Sequence, residues 1–317
     1  MAATRSLNLR LFGLLSVQTR ETDGCTAVIP LSGRPASLLA FLALEPGRFF
    51  PRNDIQAFLW SDRCDDVAAG ALNTALWRLR RAVEKPPSKP GSVIACDHRG
   101  AMSLLLCEEI MVDVKRFEAL TSAGLAKSAD RLDPLDVSGM REGVAMYSAD
   151  VLSGFTDEWA LRARERHRLQ YLNALDRLMY VSALAANFAD AIKHGQAILD
   201  HDALREDVHR HLMNLFVANG QRTLALRQFE VCRDALRREL AISPMRETLE
   251  LYRRLAEESS PPTSALHEIS DPFSAASPKF DWSALSTREC IDAARSHLQI
   301  ADQRLGQALF GLNKPTP

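Results

Sequence analysis

The chain has 317 residues, of which 46% are hydrophobic and 25% are charged. These fractions are typical of a folded globular protein and exclude a largely disordered chain. The length is sufficient for two domains, with further residues left over. Because the formal net charge is only −1, the chain is not a bulk polycation, and contact with nucleic acid requires a local basic patch.

Cysteine usage and hydrophobicity indicate where the protein resides. None of the six cysteines forms a CxxC pair or a zinc-finger spacing, and scattered free thiols favour the reducing cytosol. No apolar run reaches the ~18 residues that span a bilayer. The early segment "LFGLLSV" is short and lacks a signal-peptide cleavage site. We therefore expect a cytoplasmic protein with no membrane segment.

The first elements are two strands and a helix. Residues 7–31 are predicted to form two strands that turn at Asp23–Gly24. The segment "RPASLLAFLALEPG" follows, with Pro35 in the first turn of a helix and a stop at Pro46–Gly47. A second, short helix begins behind Pro51, and its predicted inner face carries Ile55, Phe58 and Leu59.

A third helix and a hairpin complete this region. Asp65 or Asp66 is a suitable N-cap for the helix, and the proline-rich "KPPSKPG" ends it. The segment "SVIACDHRGAMSLLL" predicts a hairpin that turns at residues 98–100. Strands, three helices and a closing hairpin are the elements of a winged helix-turn-helix.

The third helix has two different faces. Its apolar face is predicted to hold the helix on the core through Leu72, Leu76, Leu79 and Val83. The opposite face carries Asn73, Thr74, Trp77, Arg78 and Arg81. Arginines commonly mark a solvated face, but a tryptophan is rare there, and the helix occupies the position of a recognition helix. Arginine can pair with guanine and asparagine with adenine, while threonine and tryptophan can contact thymine methyl groups. We therefore predict that this face reads double-stranded DNA.

Further DNA contacts are predicted around this helix. Positive charge continues at Lys85, Lys89 and Arg99. Arg52 and Asn53, at the start of the second helix, are candidate phosphate contacts. His98 and Arg99 at the hairpin tip are candidates for the minor groove, and a simple exposed turn is the alternative for both.

The rest of the chain is predicted to be helical up to about residue 258. A 34-residue repeat places Ala191 over Ala225 and Ile192 over Leu226, which is the tetratricopeptide period. Two such units are not stable alone, so the helices of residues 113–186 should belong to the same stack.

The C-terminal residues follow a separate pattern. Residues 259–285 are rich in serine and proline and are interpreted as a linker. A capping box at Ser286–Glu289 predicts a further helix. Its heptad stripe consists of Ile291, Leu298, Leu305 and Leu312, with alanines three residues after each of the first three. This pattern predicts either self-association or docking on the same chain.

Enzymatic motifs are missing from the sequence. It contains no GxxxxGK[ST] phosphate loop, no GxSxG elbow and no HExxH pair, so we predict neither an enzyme nor a bound nucleotide or cofactor. In "HDALREDVHRH", His209 and His211 point to different sides of a helix and His201 lies near a turn, so surface histidines are preferred over a metal site. Trp159 and Tyr171 are interpreted as core and rim of the helical stack.

Both regions resemble a known family. "RPASLLAFLALEPGRFFPRNDIQAFLW" and "NTALWRLRRAVE" resemble the OmpR-type winged helix of the antibiotic-regulatory-protein (SARP) activators. "YSADVLSGFTDEWALRARERHRLQYLNAL" and the segment from "DALREDVHRH" to "ETLELYRRL" resemble the bacterial transcriptional activator domain (BTAD) that follows it in that family. The resemblance covers about residues 7–257.

The resemblance implies a mainly α fold, with an α+β winged helix-turn-helix before an all-α tetratricopeptide-like domain. The C-terminal helix is predicted from its own heptad pattern and is not part of the family's pattern. The expected boundaries are 1–108 for the winged helix, 109–258 for the helical domain, 259–285 for the linker and 286–313 for the last helix. Larger members add an ATPase domain, for which the residues after 258 are too few. No receiver domain precedes the winged helix, so phosphorylation by a sensor kinase is not implied.

The implied function is sequence-specific transcription regulation, most simply activation. Such proteins bind repeated promoter sites as homodimers and contact RNA polymerase through its sigma factor or alpha subunit. The loop between the second and third helices offers Asp62, Arg63, Asp65 and Asp66 for this contact. Helix capping is the alternative for the last two. Two other functions stay open: a non-enzymatic scaffold whose winged helix docks protein, and a regulator that responds to a small ligand in the helical domain.

Overall fold

The computed structural model describes residues 6–20, 25–61, 65–86 and 88–257. The strands are β1 (Ser6–Arg10), β2 (Ser16–Arg20), β3 (Thr26–Val28), β4 (Ile94–Cys96), β5 (Met102–Leu104) and β6 (Ile110–Val112). The first helices are α1 (Gly33–Ala43), α2 (Arg52–Leu59) and α3 (Asp65–Val83). The later helices are α4 (Asp113–Ala126), α5 (Pro134–Met146), α6 (Glu158–Leu184), α7 (Phe188–His201), α8 (Glu206–Ala218), α9 (Arg222–Leu240) and α10 (Arg246–Glu257). The predicted fold class is confirmed for these residues.

Residues 6–112, the winged-helix half, combine a sheet, three helices and a hairpin. The sheet order is β3-β2-β1-β6, and its last strand runs parallel to β1. The sequence predicts two strands in residues 7–31, but three form there. The reason is Gly13, whose φ of 83° interrupts the apolar run that precedes β2. The predicted Asp23–Gly24 turn lies outside the described residues. The hairpin prediction is confirmed by β4 and β5, which pair antiparallel on either side of Gly100.

Two details of the helix-turn-helix differ from expectation. Ile55 and Leu59 of α2 are buried as predicted, but Phe58 is 46% exposed, although its ring still lies 5.5 Å from that of Phe41 between centroids. The helix α3 begins at Asp65, so Asp65 and Asp66 are both residues of its first turn and neither is its N-cap. The buried face of a helix as short as α2 is therefore narrower than its sequence pattern indicates.

Residues 113–257, the helical half, form a stack of helical pairs. Ala191 of α7 and Ala225 of α9 are both fully buried, as the 34-residue repeat predicts. The same spacing relates Leu178 of α6 to Leu212 of α8, and both are also fully buried. The pairs α6–α7 and α8–α9 are therefore consecutive units of one stack. Among the described helices, none is long and apolar enough to cross a membrane.

The two halves are joined through the residues after β1. The carboxylate of Asp113, at the start of α4, accepts hydrogen bonds from the backbone N–H of Leu11, at 2.8 and 2.9 Å, and of Phe12, at 3.1 Å. On the other side, the N–H of Gly13 donates to the Asp150 carbonyl at 3.0 Å, and that of Leu152 donates to the Leu11 carbonyl at 2.8 Å. Residues 11–13 are thus held from both sides by the helical half.

A second set of contacts fixes α1 against α6. Trp159 packs edge-on against Phe41 at 5.5 Å, so this tryptophan belongs to the contact between the halves as well as to the stack. Arg34 lies 3.9 Å from Asp157, and Arg166 lies 3.6 Å from Glu45. Tyr171 is buried and stacks on Tyr147 at 4.1 Å, which makes it a core residue rather than a rim residue.

Replacing Asp113 with alanine should destabilise the whole described fold. Burial raises the pKa of Asp113, while hydrogen bonds from Leu11, Phe12 and Val114 oppose that shift. The Asp113→Ala variant leaves two buried N–H groups of the joint without an acceptor, which costs about 1–3 kcal/mol for each such group. Urea unfolding of the full chain measures this loss. The exposed Glu108→Ala is the matched control, and equal stabilities of the two variants would contradict the role of Asp113.

The expectation that the histidines of residues 201–211 lie on the surface is wrong for His209. This side chain is 1% exposed, with Nε2 at 3.1 Å from the Ala203 carbonyl, while Nδ1 accepts a hydrogen bond from the Gln228 amide at 2.7 Å. Both contacts suit a neutral imidazole, and burial lowers the pKa of His209. His211 is exposed, as expected for the opposite side of α8.

Acidification should therefore destabilise the fold through His209. Because the folded pKa lies below the unfolded value of about 6.5, the unfolded chain binds the proton more readily, and stability is lost as the pH falls through that value. Thermal unfolding at several pH values is the measurement. The His209→Gln variant should lose less stability between neutral and mildly acidic pH than the wild type does, whereas His211→Gln should behave like the wild type. An unchanged pH dependence in His209→Gln would reject this explanation.

Candidate nucleic-acid interface

The helix α3 separates its residues into a buried and an exposed face. Leu72, Leu76, Leu79 and Val83 are all buried in the core of the winged-helix half, as their spacing predicts. The five residues of the opposite face are all exposed: Asn73, Thr74, Trp77, Arg78 and Arg81. The side chain of Trp77 is 58% exposed, which is unusual for so large an apolar side chain. The arrangement leaves an indole and two guanidinium groups on one open helical face.

Two of these side chains, Trp77 and Arg81, are in contact with each other. The guanidinium carbon of Arg81 lies 5.3 Å from the centre of the Trp77 ring, which is a cation–π distance. The hydroxyl of Thr74 donates to the Gly70 carbonyl one turn earlier, at 3.0 Å. Arg78 makes no hydrogen bond or ion pair with another described residue. This face therefore keeps an unpaired cation available to a ligand.

Arg80 and Glu84 attach the wing to α3. The guanidinium of Arg80 donates to the Ile94 carbonyl at 2.9 Å and lies 3.2 Å from Cys96 Sγ. The buried carboxylate of Glu84 accepts from the backbone N–H groups of Gly91, Val93 and Ile94, at 2.9 to 3.0 Å. Sequence reasoning gave neither residue a role. The signal in the sequence is a glutamate placed immediately before a proline- and glycine-rich loop, whose backbone N–H groups need an acceptor.

The wing turn is held in shape by Asp97. Its carboxylate accepts hydrogen bonds from the N–H groups of Arg99, at 2.9 Å, and Ala101, at 2.8 Å. Gly100 completes the turn with a φ of 82°, a conformation that other residues rarely adopt. The predicted minor-groove residues His98 and Arg99 are both exposed at this tip. The turn therefore presents one imidazole and one guanidinium on a rigid backbone.

Arg52 of α2 contacts both α3 and the wing. Its guanidinium donates a hydrogen bond to Asn73 Oδ1, and a Cβ at Gly100 would lie 3.2 Å from its side chain. Asn53 next to it is exposed. Of the predicted DNA contacts, Arg52, Asn73 and the wing turn are thus neighbours. Because Asn73 is already an acceptor for Arg52, its amide N–H₂ group is the part that stays available.

Only some of the other predicted site residues lie within the described part of the chain. Lys85 and Lys89 are exposed in the loop after α3, and Asp66 is exposed in its first turn. Asp62 and Arg63 lie outside the described residues, as does the side chain of Asp65. The predicted oligomerisation residues Ile291, Leu298, Leu305 and Leu312 also lie outside the described residues. Within the described ranges, no group of three or more histidine, cysteine or acidic side chains lies close enough to hold a metal ion.

An exposed helical face beside a wing, joined to a stack of helical pairs, defines a winged-helix protein with an attached helical domain. Residues 26–100 match the family model of the C-terminal domain of transcriptional regulatory proteins, and residues 112–256 match that of the bacterial transcriptional activator domain. The chain belongs to the SARP-type transcriptional regulators, which combine these two domains in this order. This is a regulatory family rather than an enzyme family.

One relative supports this assignment, and one solved structure shares the fold. The regulatory protein AfsR of Streptomyces coelicolor is 26% identical over 246 residues, which cover 77% of this chain and 24% of AfsR. Mycobacterium tuberculosis EmbR, solved in complex with a low affinity phosphopeptide, has a TM-score of 0.64 and 18% identity, over 80% of this chain and 66% of that chain. The chain thus spans about a quarter of AfsR, and the EmbR similarity concerns the fold.

Replacing Arg80 should loosen the wing from α3. The Arg80→Ala variant removes the donor to the Ile94 carbonyl, and we expect a loss of about 1–2 kcal/mol in the free energy of unfolding. Lys85→Ala, which removes an exposed cation from the loop after α3, should stay within about 0.5 kcal/mol of the wild type. Urea unfolding compares the two. Equal effects would mean that Arg80 does not hold the wing.

Proposed function

We propose that the chain regulates transcription by binding double-stranded DNA in a sequence-specific manner through α3 and the wing. The observation that carries the proposal is the exposed face of α3, with Asn73, Thr74, Trp77, Arg78 and Arg81 beside a rigid hairpin. An α-helix of this kind fits the major groove, where guanine and adenine offer the acceptors that Arg78 and Asn73 can pair with. The wing tip can then follow the adjacent minor groove.

The basic residues divide into two roles in this proposal. Arg81, which lies against the Trp77 ring, is assigned to a phosphate at the edge of the groove, and Trp77 gives an apolar surface to thymine methyl groups. Arg52, Asn53 and Lys85 are assigned to the phosphate backbone, which positions the helix without reading sequence. Arg52 also orients Asn73, so the loss of Arg52 should affect the reading of an adenine.

The contact with the transcription machinery is also a proposal. Activation would require RNA polymerase, through its sigma factor or alpha subunit, to reach the segment between α2 and α3 and the start of α3. The candidates there are Asp62, Arg63, Asp65 and Asp66. We further propose a homodimer that involves the heptad residues 286–313, and domain boundaries at residues 108 and 258.

Selection of bound fragments from sheared genomic DNA by the purified chain, at two salt concentrations, identifies the sites on which variants are compared. Arg81→Ala should weaken binding to all DNA similarly and reduce the dependence of affinity on salt. Arg78→Ala and Asn73→Ala should instead change which bases are preferred, by about 1–3 kcal/mol for each lost base contact. Electrophoretic mobility shifts on matched and mutated sites measure both effects.

Arg162→Ala is the control, because Arg162 is an exposed cation on α6 that pairs with Glu158 and lies outside the winged-helix half. Its affinity and base preference should equal those of the wild type. If binding and specificity stay unchanged in the three α3 variants, α3 is not the recognition helix. If the selection yields no DNA, or only random DNA that is lost at higher salt, the scaffold function is the better account.

A further inference from the structure

A groove runs between α6 and α8 in the helical half. Its volume is about 620 Å³, and its floor is apolar, formed by Leu125, Met179, Ala183 and Leu215. No residue of α3 or of the wing lines it. The proposed DNA contacts therefore leave this groove unused.

The walls of the groove carry polar side chains that have no partner among the described residues. These are Asn173, Arg177 and Tyr180 of α6, and His211 and Asn214 of α8. None of the five makes a hydrogen bond or ion pair with another described residue. Other arginines of α6 do pair, as Arg162 does with Glu158 and Arg168 with Glu165. A mostly apolar lining with a few polar groups directed into it is the usual make-up of a ligand-binding groove.

The groove follows the internal repeat of the stack. Arg177 and His211 are 34 residues apart, and so are Tyr180 and Asn214, which places each pair at equivalent positions of consecutive units. Helices that pack in this way are separated by about 8–10 Å. An extended peptide advances about 3.3 Å per residue, so neighbouring units would meet residues about three apart along one peptide.

We propose that this groove binds an extended peptide segment of another protein, with an apolar side chain on the floor and one carboxylate at Arg177. The carboxamides of Asn173 and Asn214 each offer a donor and an acceptor, as the N–H and C=O groups of a peptide main chain require. Asp176 also lines the groove and would repel a second acidic group nearby. Because Asn173, Tyr180, His211 and Asn214 are exposed, the groove is open along its length and suits a linear segment better than an enclosed small molecule.

The test uses the full chain and a phage library of random dodecapeptides, selected on the immobilised protein. Enriched peptides should share one acidic and one apolar position, and a fluorescent synthetic copy reports the affinity by anisotropy. R177Q and N214A should each weaken that peptide by about tenfold, the loss expected for one hydrogen bond to a charged or amide partner. R238Q is the matched control, since Arg238 is an exposed arginine of α9 that pairs with Glu239.

Four results would overturn the proposal. They are the absence of any enriched peptide, enriched peptides without the shared acidic position, peptides that bind R177Q and N214A as tightly as the wild type, and a loss of binding in R238Q as large as that in the groove variants. Equal thermal unfolding midpoints for the variants and the wild type exclude misfolding. Because no groove residue belongs to α3 or the wing, R177Q should bind DNA as the wild type does, and the two proposals can fail separately.

Discussion

The fold depends on how residues 11–13 are held. These three residues leave β1 and pass directly between the Asp113 carboxylate and the backbone of residues 150–152. A backbone segment without its own ladder partners would leave N–H and C=O groups unpaired in the interior, which is costly. The helical half supplies partners to this segment, and Phe12 adds ring contacts with Phe117 and Tyr147. The winged helix and the helical stack are therefore packed against each other directly rather than joined only by a linker.

This joint has a consequence for the candidate interface. Arg80 and Glu84 fix the wing to α3, α3 packs on α1, and α1 contacts α6 through Phe41 and Trp159. A chain of rigid contacts thus runs from the wing tip to the helical half. Anything bound to the helical half would therefore be held at a defined place relative to the exposed face of α3.

The parts of the fold that sequence could predict are those that depend on local periodicity. The two faces of α3 follow from leucines at 72, 76 and 79, and the repeat in α7 and α9 follows from alanines 34 residues apart. β6 has only three residues and pairs with a strand about a hundred positions earlier, so no local pattern marks it. His209 was misplaced because its burial depends on Gln228 and Ala203, which belong to other parts of the stack.

The candidate sites also differ in how far the sequence alone predicts them. The exposed face of α3 could be predicted because its residue types are unusual for solvent and lie on one helix. The hydrogen bond from Arg80 to the wing could not be predicted, because charge alone does not distinguish Arg80 from Arg78 and Arg81. The groove between α6 and α8 needed both the structure and the repeat: only when α6 is aligned with α8 does Arg177 match His211 and Tyr180 match Asn214. A repeat that places buried alanines to build the stack also places exposed side chains at equivalent positions. The packing constraint that stabilises the helical half therefore also brings the lining residues of the groove into register.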